Sequence, residues 1–122
     1  MTRKEFEKIV QEAVDSLPVA LRKKIDNVDI RVVESPNRRQ AREWGGGREP
    51  SLYGLYEGIP QTERTTTYDL VPPDRITIFQ RPIELAAGED EEAIRREVRE
   101  TVVHEIAHYY GITDERLDEL GY

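Results

Sequence analysis

Phe6, Ile9, Val10, Ala13, Val14 and Leu17 recur at the spacing of one helix face, and the preceding Thr2-Arg-Lys-Glu5 run has the form of a capping box. The pattern predicts an amphipathic helix from about Arg3 to Ser16. Pro18 suits the first turn of a second, short helix in which Leu21 and Ile25 face inward, and Asp26-Asn27 ends it. Val28, Ile30 and Val32 then alternate with Asp29, Arg31 and Val33, the pattern of a strand with one buried face, closed by Glu34-Ser-Pro-Asn.

Residues 35 to 50 lose this periodicity. Pro36, Gly45, Gly46, Gly47 and Pro50 stand among Arg38, Arg39, Arg42, Trp44 and Arg48, and a surface loop is expected there. The stretch Leu52-Tyr-Gly-Leu-Tyr-Glu-Gly58 reads as a strand interrupted by glycine. Residues 60 to 67 read as a turn, leading to another short strand near Tyr68 to Val71. Pro72-Pro73 resets the chain for a strand from Asp74 to Gln80. Pro82, which lacks a donor, favours an edge position for that strand.

Gly88 is followed by Glu89-Asp-Glu-Glu, whose charges complement the positive end of a helix dipole. Ile94, Val98, Val102, Ile106 and Tyr109 form an apolar stripe along the helix they open, which places Tyr109 in the core. Gly111 is suited to the left-handed conformation that ends a helix. Thr113 is placed to cap a last short helix, Asp114 to Leu120.

Composition narrows the function. The chain has 122 residues, enough for one compact domain, and no repeat or linker divides it. It contains no cysteine, which excludes disulfides, thiolate zinc sites and thiol nucleophiles. The formal charge is −7, so Arg38, Arg39, Arg42, Trp44 and Arg48 do not make it a nucleic-acid binder, because phosphate neutralisation by basic groups supplies most of that affinity. No apolar run approaches a membrane span and the first residues are too charged for a signal peptide, so a cytoplasmic protein without membrane contact is expected.

Both histidines lie in Val102-Val-His-Glu-Ile-Ala-His108. On a helix, His104 and His108 share a face one turn apart, where both can bind one zinc ion, while Glu105 projects from the edge of that face. Glu105 is thus placed to act as general base on a zinc-activated water without being a ligand. The helix is densely charged from Glu89 to Glu100 and much less so afterwards, so the trio is expected to enter the interior, where it needs a partner. Gly111 and Asp114 extend the motif to His-Glu-x-x-His-x-x-Gly-x-x-Asp. Asp114 is the expected third metal ligand, with Glu115, Asp118 and Glu119 as fallbacks. It also fits as the first residue of the last helix, and one residue can serve both ends.

The extended motif resembles that of the zincin metallopeptidases in their metzincin-type form. Together with Leu55-Tyr-Glu-Gly-Ile-Pro-Gln-Thr-Glu-Arg64 and Asp74-Arg-Ile-Thr-Ile-Phe-Gln-Arg-Pro82, it is similar to the bacterial minimal zincin, or metallopeptidase-like, family over about 70 residues. The resemblance implies an α+β domain, a small twisted mixed sheet packed on helices that include the motif helix, with an edge strand bordering the cleft. The pattern departs in two places. Met1 is the only methionine, so the support of the metzincin methionine turn is missing or supplied by another residue, and aspartate stands where the third ligand is usually histidine.

The expected activity is that of a zinc metallopeptidase. A peptide or protein substrate is expected to lie along the Asp74 to Gln80 edge strand by strand addition, on a monomer. Tyr53, Tyr56, Tyr109, Tyr110 and Tyr122 are candidates for oxyanion stabilisation. The competing reading is a zinc-binding domain, structural or peptide-binding, with little or no hydrolysis. Glu105 discriminates, because a structural site has no use for a carboxylate beside the water position.

Overall fold

A computed structural model describes residues 1–44, 52–58, 74–119 and 121, excluding the side chains of Ala41, Glu43, Trp44 and Asp114. The expected turn at 60–67, the strand near 68–71 and Tyr122 lie outside the described residues. In chain order the elements are α1 (Arg3–Asp15), α2 (Val19–Lys24), β1 (Val28–Val33), α3 (Arg38–Trp44), β2 (Gly54–Gly58), β3 (Asp74–Phe79), α4 (Gln80–Ala87), α5 (Glu91–Tyr110) and α6 (Asp114–Glu119). This is an α+β fold.

The capping box forms at the start of α1. The Glu5 amide donates to Thr2 Oγ1 and the Thr2 amide donates to Glu5 Oε1, each at 3.1 Å, satisfying two amides that the helix leaves free. Phe6, Ile9, Val10 and Ala13 are buried, as their spacing requires. Within the expected loop, α3 is a helix, and the reason is a second reciprocal cap. The Gln40 amide donates to Asn37 Oδ1 at 2.7 Å, and the Asn37 amide to Gln40 Oε1 at 3.0 Å.

The sheet has the order β1-β3-β2. β3 runs parallel to β1 and antiparallel to β2, with Ile76 opposite Ile30 on one side and Tyr56 on the other. The expectation of an edge strand at Asp74 to Gln80 is therefore wrong. The strand stops at Phe79, and Pro82 lies in the first turn of α4, where the helix makes no use of the donor that proline lacks. Among the described residues β2 is the edge strand that lies beside α5.

One face of the sheet packs against α1, α2, α4 and α5. Phe6, Leu21, Ile76, Ile78, Ile83, Ile94, Val98, Val102 and Ile106 form its buried centre. Asp90 caps α5 by accepting from the Glu92 amide at 3.2 Å. At its other end Gly111 takes φ 68°, ψ 28°, and the Ile112 amide closes back on the Ala107 carbonyl at 2.8 Å. α5 thus ends where the sequence places its end.

Candidate functional site

Side chains on α5 advance by about 100° per residue, which separates the two roles of the motif. Val102, Val103, Ile106 and Ala107 are buried in the core, while His104 and His108 share the exposed side. Neither imidazole is hydrogen-bonded among the described residues. The expectation that the trio enters the interior is corrected: the polar face remains at the surface, so the two rings incur little desolvation. Only Glu105 is drawn inward.

Glu105 is half-buried and reaches the outward-facing edge of β2. The backbone N–H of Tyr56 donates to Glu105 Oε1 at 2.9 Å. Oε2 has no hydrogen bond among the described residues. Burial pushes the carboxyl above its ordinary value; the Tyr56 amide, His108 and His104 pull the other way without cancelling that effect.

Gly54 brings the helix and the strand this close. A Cβ there would lie 2.6 Å from Thr101 Cγ2 and 3.3 Å from the Thr77 carbonyl oxygen. Thr101 lies one helical turn before Glu105, so the approach at Gly54 fixes the reach of the carboxylate to Tyr56. The glycines that interrupt the strand were the sequence signal for this contact.

Among the described residues, Leu55, Tyr56, Glu57, Gly58, Glu105, His108 and Tyr109 line a cleft of about 420 Å³ along the edge of β2. Tyr109 is not a core residue. It is 47% exposed, and its ring stacks on Tyr56 with centroids 4.0 Å apart. Tyr110 meets both rings edge-on. The Tyr56 hydroxyl donates to Asp74 Oδ2 at 2.9 Å, and the Tyr110 hydroxyl donates to the Lys24 carbonyl at 3.1 Å. Burial raises the Tyr56 phenol furthest, with Tyr110 and Asp74 adding to it, so this hydroxyl stays protonated.

The donor set fits a zinc ion in part. Two exposed imidazoles separated by one helical turn suit a borderline metal ion, and the neighbouring carboxylate has a free oxygen. Among the described residues no group of three or more His, Cys, Asp or Glu side chains is gathered to hold a metal. Glu115, Asp118 and Glu119 are on the exposed side of α6, whose buried residue is Leu117. Asp114 begins α6, but its side chain lies outside the described residues. The Thr113 hydroxyl accepts from the Arg116 amide at 3.1 Å and so caps the helix itself.

A helix presenting His-Glu-x-x-His beside the edge strand of a small mixed sheet defines a zincin-type domain. The family model for zincin-like metallopeptidases matches residues 25–122, and the chain belongs to that family. Such metallopeptidases generally use zinc. No curated protein matches the chain. Among the described residues, no helix is long and apolar enough to cross a membrane.

Proposed function

We propose that the chain is a zinc-dependent peptidase acting through one domain, residues 1–122, in which His104 and His108, completed by Asp114, hold the metal and Glu105 is the general base. The observation that carries this reading is the Glu105 carboxylate. One oxygen is pinned by the Tyr56 amide, while the other is left open in a cleft shared with His108. That division suits a group that must hold still and exchange a proton. The packing of α1 on α5, with Phe6 in the common core, supports including residues before 25 in the domain.

Zinc bound at the histidines supplies Lewis acidity, polarising a peptide carbonyl and easing deprotonation of the attacking water. The chain's own part follows from its geometry. Glu105 accepts the water's proton at its free oxygen and delivers it to the leaving amine, and burial lifts its pKa in the direction that makes it a stronger base toward the water. The Tyr56 amide keeps the carboxylate from rotating away. An extended peptide lies along β2, the strand bordering the cleft, rather than along the central β3.

Elemental analysis tests the ligands. One zinc per chain is expected in the wild type, with loss in His104→Ala, His108→Ala and Asp114→Ala. A wild type that takes up no zinc after reconstitution overturns the proposal. Zinc retained with peptide hydrolysis absent in the wild type supports the non-hydrolytic reading instead.

A further inference from the structure

In the strand order β1-β3-β2 the cleft lies at β2, and the opposite outer strand, β1, has a different character. None of its residues is buried, although Val28, Ile30, Val32 and Val33 are apolar, whereas β2 and β3 bury most of theirs. α1 packs on α5 and leaves a groove of about 370 Å³ against β1, with Val10 and Val14 on the helix side and Ile30 and Val32 on the strand side. Among the described residues no further strand pairs with β1.

The backbone of β1 shows which polar groups face outward. The Val28 N–H donates to the Ile25 carbonyl at 3.1 Å, and the Val32 carbonyl accepts from Arg3 Nη1 at 3.2 Å, so the polar groups of these two residues point away from β3. A strand repeats every two residues, and the Ile30 N–H and carbonyl between them therefore point the same way. The solvent face of the strand carries Asp29 and Arg31, with Arg31 Nε donating to Asp29 Oδ2 at 2.7 Å.

These positions select one pairing with a second, antiparallel copy of the strand. Centred on Ile30, it sets Ile30 opposite Ile30, Val28 opposite Val32, and Asp29 opposite Arg31 of the second copy, on both sides of the centre. Centred on Asp29 it opposes two carboxylates, and centred on Arg31 two guanidinium groups, each unfavourable. The Ile30 register is also the one in which the outward groups of that residue exchange both hydrogen bonds with their counterparts. We propose that β1 is the interface of a symmetric dimer, two copies pairing antiparallel about Ile30, in place of the monomer expected from the sequence. The interface is isologous, each copy giving and receiving the same contacts. It joins the two sheets edge to edge, covers the half-buried apolar residues of β1, and leaves the clefts at the outer β2 strands.

Sedimentation velocity over about a hundredfold range of concentration is expected to show a monomer–dimer equilibrium in the wild type. Asp29→Arg sets arginine against arginine, Arg31→Asp sets aspartate against aspartate, and each alone should weaken association about tenfold. An equimolar mixture of the two variants restores opposite charges at every position and should recover the dimer, which also shows that both variants fold. Cysteine-free wild-type sequence allows the register to be read separately. Directly opposite Cα atoms in such a pair are about 5.5 Å apart, within disulfide reach, so Ile30→Cys should oxidise to a covalent dimer much faster than Val28→Cys, whose two copies lie apart. A wild type that stays monomeric throughout overturns the interface, Asp29 and Arg31 then serving to keep the edge from pairing. A dimer that both charge variants leave intact, a mixture no better than either variant alone, or equal oxidation of the two cysteine variants overturns the register and with it the proposal.

Discussion

Replacing Gly54 with alanine puts a methyl group 2.6 Å from Thr101 Cγ2, where carbon atoms in contact need about 3.5 Å or more. Threonine is β-branched and stiff at χ1, so its methyl cannot simply swing aside, and the helix must move out by about 1 Å. Overpacking of this kind costs about 1–3 kcal/mol. Glu105 is carried on the same helix one turn further, so the 2.9 Å bond from Tyr56 stretches past useful length. With that loss the expected destabilisation is about 2–4 kcal/mol. Urea unfolding followed by circular dichroism measures it, and hydrolysis should fall more than the loss of folded protein explains. Thr101→Ser removes the obstructing methyl but keeps the hydroxyl that donates to the Glu97 carbonyl at 2.7 Å. The double variant Gly54→Ala, Thr101→Ser should therefore recover part of both losses. Gly54→Ala with wild-type stability and activity, or a double variant no better than the sum of the singles, refutes the claim that this contact sets the position of Glu105.

Glu105→Gln keeps the side-chain shape and an oxygen for the Tyr56 amide, so the protein should fold and retain zinc while peptide hydrolysis drops about 10²–10⁴-fold; unchanged hydrolysis removes the general-base assignment. Tyr56→Phe loses the hydrogen bond to Asp74 and should cost about 1–2 kcal/mol in urea unfolding. The raised Tyr56 phenol stabilises the fold below its unfolded value of about 10, and that contribution is lost as pH rises above it, so wild-type stability should decline in alkali more steeply than that of Tyr56→Phe. The Thr2 amide and hydroxyl hold the Glu5 carboxyl below its usual value, so its contribution is present above the unfolded value and disappears as pH falls through the folded one. Glu5→Gln should flatten the acid limb of stability between about pH 5 and pH 3; an identical limb in both proteins contradicts the capping box as a source of acid sensitivity.

The parts legible in the sequence were those specified locally. The capped start of α1, the stripe Ile94, Val98, Val102 and Ile106, and the stop at Gly111 each follow from backbone chemistry within a few residues. His104, Glu105 and His108 follow from spacing alone, because helix geometry decides which side chains are neighbours. The rest depended on tertiary arrangement. Pro82 signalled a missing donor, but sequence does not distinguish a sheet edge from the first turn of a helix, and α4 uses the second. Tyr109 belongs to the helical stripe by count, yet it stands one residue from the end of α5, where it stacks on Tyr56 and stays half exposed. At α3 the arginines and the glycines that follow the helix in sequence obscured the Asn37 and Gln40 cap. The Tyr56 amide could not be found from residue types, since every residue except proline carries one.

The central position of β3 also governs how the chain reaches this structure and what it tolerates. Val28 pairs with Asp74 and Val33 with Phe79, so the parallel half of the sheet closes only after a long intervening segment has been brought round. Pairing over such a distance slows folding, and the antiparallel β2 and β3 pair has less chain to close. Closure entropy rises only logarithmically with length, about 0.6 kcal/mol for each doubling. Insertions between β1 and β2 are therefore inexpensive to the folded state and leave the register of Tyr56 with Ile76 untouched. The connection can lengthen, shorten or change its charge over generations while the contact between Tyr56 and Glu105 stays fixed, allowing surface recognition to diversify around a constant centre.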